Sequence, residues 1–238
     1  MGEIELTAVL PVYNDRTALE RAIPISLEVL EDCADQFELV VAEDGSTDGS
    51  AEFVREYGAR DPRVRLFHSD ERLGRGRALD CAFRASGATV VCYYDVDLAT
   101  DMRHLKPLVS AIRDGAAMAT GSRLLPGSEI VRSGGREFAS RGYNRLVRTV
   151  LGSRLYDHQC GFKAFDRARL LPLLDRVRAP HWFWDTEVLV RGQHAGYPVV
   201  ELPVRWTEGP GTTVRPKDVI EMGSAIFRLW WQIHVAKD

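Results

Sequence analysis

A single α/β domain, with a mostly parallel central sheet flanked by helices, is predicted by two features of this 238-residue chain. Short β-branched runs alternate with amphipathic segments, and Asp, Asn, Gly and Ser gather where the runs end. In open sheets of this kind ligands sit beyond the carboxyl ends of the strands, because loops converge there and helix N-termini aim their partial positive charge into the crevice.

The elements follow in order. "ELTAVL" reads as a strand and Thr17 to Cys33 as a helix, in which Leu19, Ile23, Leu27 and Leu30 form one stripe and Pro24 predicts a kink. "FELVVA" precedes a helix at Ser50 to Ala59, "VRLFH" one at Gly76 to Ser86, and "ATVVCYY" one at His104 to Arg113. Past residue 121 the alternation weakens. An Arg-rich helix is expected at Glu137 to Leu151, "YPVVELPVRW" reads as a late strand, and residues 216–238 as an amphipathic helix. No repeat or linker divides the chain, so one domain is expected, its halves at about 1–121 and 122–215.

Hydrophobic residues at 45% can fill a sizeable core. The formal charge of −3 is too small to argue for nucleic acid, but residues 121–178 hold 12 Lys/Arg against 5 Asp/Glu, leaving 19 against 29 elsewhere. That basic middle suits an anionic partner, or equally a solvated Arg-rich helix. Cys33, Cys81, Cys92 and Cys160 show no paired spacing and read as reduced thiols of a cytosolic protein. The six histidines show no zinc spacing. "MGEIELTAVLP" runs into a strand without a charged-then-apolar leader, Leu6 stands where acylation of Gly2 needs Ser or Thr, and no window reaches the roughly 18 apolar residues of a spanning helix. Secretion and membrane crossing are not expected.

Four strand ends carry the chemistry: "PVYND", "EDGSTDGS", "ERLGRGRA" and "DVDLATD". Asp95 and Asp97 would repel each other unless a cation joined them, and hard carboxylate oxygens suit Mg2+ or Mn2+, which also keep phosphate oxygens and waters as ligands. Capping of the following helix explains the same residues without a metal. Asp44 directly follows a strand and is placed to accept bonds from a ribose hydroxyl or a base N–H; Gly45 permits a tight turn, and Ser46, Thr47 or Asp48 can cap the next helix. "ERLGRGRAL" lacks the Lys-Ser/Thr ending of a phosphate loop and reads as a turn into a helix.

Taken together, "LPVYND", "VVAEDGSTDGS", "ERLGRGRAL", "YYDVDLAT", "GSR" and "CGFKAF" resemble, in order and spacing, the inverting family 2 glycosyltransferases of the GT-A fold, over about residues 6 to 210. The likeness is nearest to polyprenyl- and dolichyl-phosphate sugar synthases, and "DVDLAT", "DHQCGFKAF" and "WDTEVLV" look more like the glucose branch than the mannose branch. Mannose synthases usually carry Gln where this chain has Ala99, so one side-chain metal ligand of theirs is missing. The resemblance implies a nucleotide-sugar half at 1–121 and an acceptor half at 122–215. It matches Pro11, Tyr13, Asn14 and Asp15, often Glu in the family, to the first nucleotide loop, and Asp44 to the carboxylate that holds the base or ribose, with Gly45 and Ser46 beside it as further candidate binding residues. Asp95 and Asp97 match the metal motif, Asp97 more directly. Arg123 and Arg136 match arginines facing the phosphates, and Lys163 lies toward the acceptor.

The implied reaction moves a hexose, glucose from UDP-glucose, to a polyprenyl or dolichyl phosphate at the cytoplasmic membrane face. A nucleoside diphosphate leaves with extra negative charge, which a metal and guanidinium groups stabilise. A lipid phosphate is largely ionised at neutral pH and needs no strong base. A hydroxyl acceptor needs one, and then Asp185 or Glu187 is the candidate, although both also suit the positive end of a helix. The alternatives are mannosyl transfer from GDP-mannose, a hydroxyl acceptor, and a nucleotide-sugar-binding scaffold. Arg141, Arg145 and Arg148 form a stripe suited to a lipid surface, and Trp230 and Trp231 suit a membrane interface, a homodimer contact or packing on the domain. A stripe without interleaved aromatics disfavours nucleic acid.

Overall fold

The computed structural model describes residues 4–131, 134–208 and 216–236, the side chains of 134–139 and 216–220 lying outside the described set. Its first half follows the expected alternation: β1 (Leu6–Val12), α1 (Arg16–Glu31), β2 (Phe37–Asp44), α2 (Ser50–Arg60), β3 (Val64–Ser69), α3 (Arg75–Ala85), β4 (Val90–Tyr94) and α4 (Leu105–Arg113). All residues of β1, β2 and β4 are buried, as strands covered on both faces must be. Pro24 lies on the exposed face of α1, where water can take the carbonyl that its missing N–H frees, and the helix runs on through it as one element.

The second half adds β5 (Met118–Ser122), β6 (Glu129–Val131), α5 (Gly134–Leu151), β7 (Phe162–Asp166), α6 (Arg167–Leu174), α7 (Trp184–His194), β8 (Val199–Pro203), β9 (Arg205–Thr207) and α8 (Pro216–Trp231). The large sheet has the order β3-β2-β1-β4-β7-β5-β8, parallel except for β7, which runs antiparallel to both neighbours. "CGFKAF" is therefore a central strand. The single late strand expected from "YPVVELPVRW" is two: the chain leaves the large sheet at Pro203, which cannot donate to a ladder, and β9 pairs with β6. β9 also holds the loop after the acidic motif, Asp101 N–H donating to the Arg205 carbonyl and Thr207 N–H to that of Ala99, both at 2.9 Å.

Helices α1, α2 and α4 cover one face of the sheet through Leu19, Ile23, Val54 and Leu105, while α3, α6 and α7 cover the other through Leu79, Leu170 and Val188. A third cluster seats α8 on α5 and α7, with Met222, Ile226 and Leu229 buried against Val147, Leu151, Phe183 and Val190. Each such apolar side chain contributes roughly 1.5–3 kcal/mol. The terminal helix thus packs on its own domain along one side, and Phe227 and Trp231, 59% and 58% exposed, point away from it. Among the described residues no helix is long and apolar enough to cross a membrane.

Candidate active site

The loops after β1 and β2 form one unit. Asn14, in the left-handed region at φ 51°, accepts from Thr47 N–H at 2.8 Å and donates its own N–H to Ser46 Oγ at 2.9 Å. Asp15 caps α1 by accepting from Ala18 N–H, and Asp48 accepts from Arg16 N–H at 2.8 Å. Pro11 is buried within β1, whereas Tyr13 is exposed under the Arg72 guanidinium, 3.9 Å from its ring centre. Asp44 is buried and accepts from Leu73 N–H at 2.6 Å and Gly74 N–H at 2.9 Å, so its carboxylate fastens the β3–α3 loop to the end of β2. Gly45 turns with φ 74°, and a Cβ there would press on the Arg72 backbone. Glu43, fully buried, accepts from Ser46 N–H and meets His68.

The β3–α3 loop is no anion cradle: the Pro180 carbonyl already takes the N–H groups of Gly76 and Arg77 at 2.9 and 3.3 Å. What this turn delivers is Arg75. Its Nη2 donates to Asp95 Oδ1 at 2.7 Å and its Nη1 to Asp185 Oδ2 at 2.8 Å, while its guanidinium lies 5.0 Å over the Tyr93 ring. The acidic motif, which has nothing basic beside it in sequence, has a cation beside it in space. Asp185 also accepts from the Tyr93 hydroxyl and lies 3.5 Å from the buried Lys163 ammonium, which donates to the Cys160 carbonyl. Burial would raise the Asp185 carboxyl; Lys163, Arg75 and Tyr93 together outweigh it and hold it below the usual carboxylate range.

Asp97 is placed differently. Its Oδ1 accepts only from Ala99 N–H, at 3.0 Å, in a turn closed by Leu98 N–H on the Asp95 carbonyl, with Leu98 at φ 52°. It reaches the surface of the crevice without an ion-pair partner among the described residues, and desolvation, then the charges of Asp95 and Asp15, push its carboxyl up. Asp95 sits directly over Gly161, where any Cβ would overlap its carboxylate.

Arg123 is at the rim but is not free: Asp157 takes Nε at 2.7 Å, Nη2 at 3.0 Å and the backbone N–H at 3.0 Å. Lys163, expected toward the acceptor, is instead fully buried under Tyr93 and Asp185. Glu187 is buried, its Oε2 accepting from Arg178 and Ala179 N–H and its Oε1 pairing with Arg191 Nε at 2.9 Å. The Arg136 side chain lies outside the described residues. Arg141, Arg145 and Arg148 are exposed on α5, with Arg148 over Tyr156.

Sequence reasoning missed Arg75, Tyr93 and Asp157. For Arg75 a signal existed, an arginine between two glycines at a strand end. For Asp157 none did, since its partner lies 34 residues away.

Among the described residues no three His, Cys, Asp or Glu side chains make a metal cluster. Asp95 and Asp97 alone are oxygen donors of the type that Mg2+ accepts when substrate phosphates complete its shell. Among the described residues Asp97 feels the charges of two further carboxylates, Asp95 and Asp15, against one guanidinium, Arg75. A divalent cation fits that imbalance.

Residues 7–171 match the family model described as glycosyl transferase family 2. The chain is 48% identical to the glycosyltransferase AglD of Haloferax volcanii over 98% of its own length, and spans 38% of that protein. It is 29% identical to the dolichyl-phosphate beta-glucosyltransferase ALG5C of Trichomonas vaginalis, covering 93% of this chain and 69% of that one. Among solved structures, glucosyl-3-phosphoglycerate synthase from Mycobacterium tuberculosis in complex with Mn2+, UDP-glucose and phosphoglyceric acid superposes with a TM-score of 0.67 at 18% identity, over 96% of this chain and 79% of that one.

Proposed function

Because this chain belongs to glycosyl transferase family 2 and has the GT-A fold, we propose that it transfers glucose from UDP-glucose to a dolichyl or polyprenyl phosphate, with inversion and with Mg2+ or Mn2+, at the cytoplasmic face of a membrane. The observation that carries this reading is Asp97: an exposed carboxylate with no ion-pair partner among the described residues, next in the motif to Asp95, which Arg75 holds at 2.7 Å. Asp95 and Asp97 would hold the metal. When bound, the ion supplies Lewis-acid neutralisation of the departing diphosphate.

The chain's own groups divide the remaining work. The linked loops around Asn14 and Ser46, with Asp44 and Gly45 beneath, frame the nucleoside. Arg123 meets the charge that develops on the leaving group, and Arg136 is proposed to join it. Asp185 is held ionised by Arg75, Tyr93 and Lys163, and Glu187 is committed to Arg191, so neither is an available base. An acceptor that is already ionised, as a lipid phosphate is, requires none.

The names of the relatives support glucose and a dolichyl phosphate. Contact with a membrane surface is supported by two neighbouring exposed faces, the arginines of α5 and Phe227 with Trp231 on α8. The test is transfer of labelled sugar from UDP-glucose, GDP-mannose or dTDP-glucose to dolichyl phosphate, with and without Mn2+, beside a thermal-shift series with the same donors. A glucolipid formed from UDP-glucose, and a Tm raised by UDP-glucose with Mn2+, are expected. Transfer only from GDP-mannose, or only to a hydroxyl acceptor, would overturn the donor or the acceptor; no transfer and no shift with any donor would leave a scaffold.

A further inference from the structure

An arginine that stabilises a departing diphosphate must be held where the charge appears, and the free side chain has several rotatable bonds with which to miss. Arg123 has little of that freedom. Asp157 accepts from Nε through Oδ2 at 2.7 Å and from Nη2 through Oδ1 at 3.0 Å, a fork on a fork, and Oδ2 also takes the backbone N–H of the same arginine at 3.0 Å. Both ends of the arginine therefore refer to one carboxylate. Of its five N–H donors two are used in this fork, leaving Nη1 and the outer hydrogen of Nη2. The Trp206 ring, 5.5 Å from the guanidinium carbon, covers one face.

Asp157 is itself fixed more firmly than the arginine it holds. It is fully buried while Arg123 keeps 13% exposure, so the carboxylate forms the floor and the guanidinium the rim. Its Oδ1 accepts in addition from Gln159 N–H at 3.1 Å. Its own backbone N–H, together with that of Tyr156, donates to Glu201 on β8 at 2.8–2.9 Å. The following residue, His158, is buried and donates its N–H to Asn144 of α5 at 2.9 Å. The charge of Asp157 acts on Arg123, and that of Asp95 more weakly.

We infer that Asp157 is a positioning residue for the reaction: through its fork on Arg123 it fixes the guanidinium edge that meets the leaving diphosphate. The inference rests on the proposed reading of Arg123. It explains why the arginine is paired at all, since pairing removes net charge at a place where charge is wanted but turns what remains into directed hydrogen bonds. Lysine, a point charge with no fork, cannot take this position while held by Asp157.

The experiment is a double-mutant cycle in the full chain with Arg123→Ala, Asp157→Asn and the pair, joined by Asp157→Glu, which keeps the charge and the ion pair but moves the fork outward by one methylene. UDP-glucose turnover and calorimetric binding of UDP with Mn2+ are the readouts, each normalised to folded protein by circular dichroism. The expected result is a fall in kcat on the order of 10²-fold in Asp157→Asn and in Asp157→Glu with a much smaller change in KM, and no further fall when Asp157→Asn is added to Arg123→Ala. If Asp157→Asn costs the same factor with and without Arg123, or if Asp157→Glu turns over like the wild type, Asp157 is only a structural partner and the inference fails while the reading of Arg123 stands. If Arg123→Ala keeps full turnover and full UDP affinity, the reading of Arg123 itself fails, and the positioning role with it.

Discussion

Arg75 donates from Nη2 to Asp95 at 2.7 Å, and the same guanidinium reaches Asp185 at 2.8 Å, so one cation joins the acidic motif to the first turn of α7. The bridge makes Arg75 a competitor for Asp95 as well as a support for Asp185.

Two opposite effects of Arg75→Gln follow. Asp185, 4% exposed, would keep only Tyr93 and a Lys163 contact of 3.5 Å, and unfolding free energy in urea is expected to fall by about 3 kcal/mol. Asp95 would lose its cation, and Mn2+ binding measured by calorimetry at low salt is expected to tighten. Unchanged stability together with weaker Mn2+ binding would contradict the bridge.

Gly161→Ala tests the seat of Asp95 from below. The added methyl group occupies the carboxylate's place, and the Gly161 carbonyl, which accepts from Asp95 N–H at 3.1 Å, ties the two backbones together. Asp95 has to swing out, so turnover is expected to fall by about two orders of magnitude. A crystal structure of the variant with Asp95 unmoved would refute the expectation.

These two glycine and arginine positions also show where sequence is readable. Through α4 each strand is a β-branched run followed by an amphipathic segment, so local periodicity sets the boundaries to within a few residues; the first helix, expected from Thr17, begins at Arg16. Strand β7 was not readable, because Lys163 interrupts its apolar pattern and is tolerated only where Asp185 and the Cys160 carbonyl meet its ammonium. Strands β6 and β9, three residues each, carry no period to detect. That Asn14, Asp44, Asp95 and Asp97 stand at or just beyond the ends of β1, β2 and β4 was legible from position alone. Their partners were not: Arg75 reaches Asp185 across 110 residues, and no local pattern encodes that.

Asp97 differs from its neighbours in lacking a cation. Its carboxyl is raised, so the folded protein binds a proton more readily than the unfolded chain, and stability declines as pH rises through the raised value. At neutral pH, without metal, Asp97→Asn is therefore expected to raise Tm slightly while abolishing transfer and the Tm gain from UDP-glucose with Mn2+. A variant retaining that gain would take the metal away from Asp97.

Glu187 separates the two acceptor chemistries. It accepts two backbone N–H bonds and pairs with Arg191 where both side chains are 3% exposed, so Glu187→Ala is expected to cost about 3–5 kcal/mol and to leave the pH profile of the folded enzyme unchanged. Loss of an acid limb from that profile, with stability intact, would restore Glu187 as a base and favour a hydroxyl acceptor.

His158 gives a pH dependence of stability whose sign is fixed by burial. Its imidazole is enclosed, with Nε2 on Ser153 Oγ and Nδ1 on Asn144 Oδ1, both at 2.7 Å, and desolvation takes its pKa down from 6.5 to about 4. The unfolded chain takes up the proton as pH falls past 6.5, whereas the folded protein resists until about 4. Stability from this group is thus fully present above pH 6.5, declines by about 1.4 kcal/mol per pH unit below it, about 3 kcal/mol in all, and then levels. Urea midpoints measured from pH 7.5 to 4 are expected to show this slope in the wild type and not in His158→Gln, which is less stable at neutral pH but lacks the titration. Parallel curves for the two proteins would mean that His158 is open to protonation in the folded state, and that the segment holding Asp157 is looser than its hydrogen bonds imply.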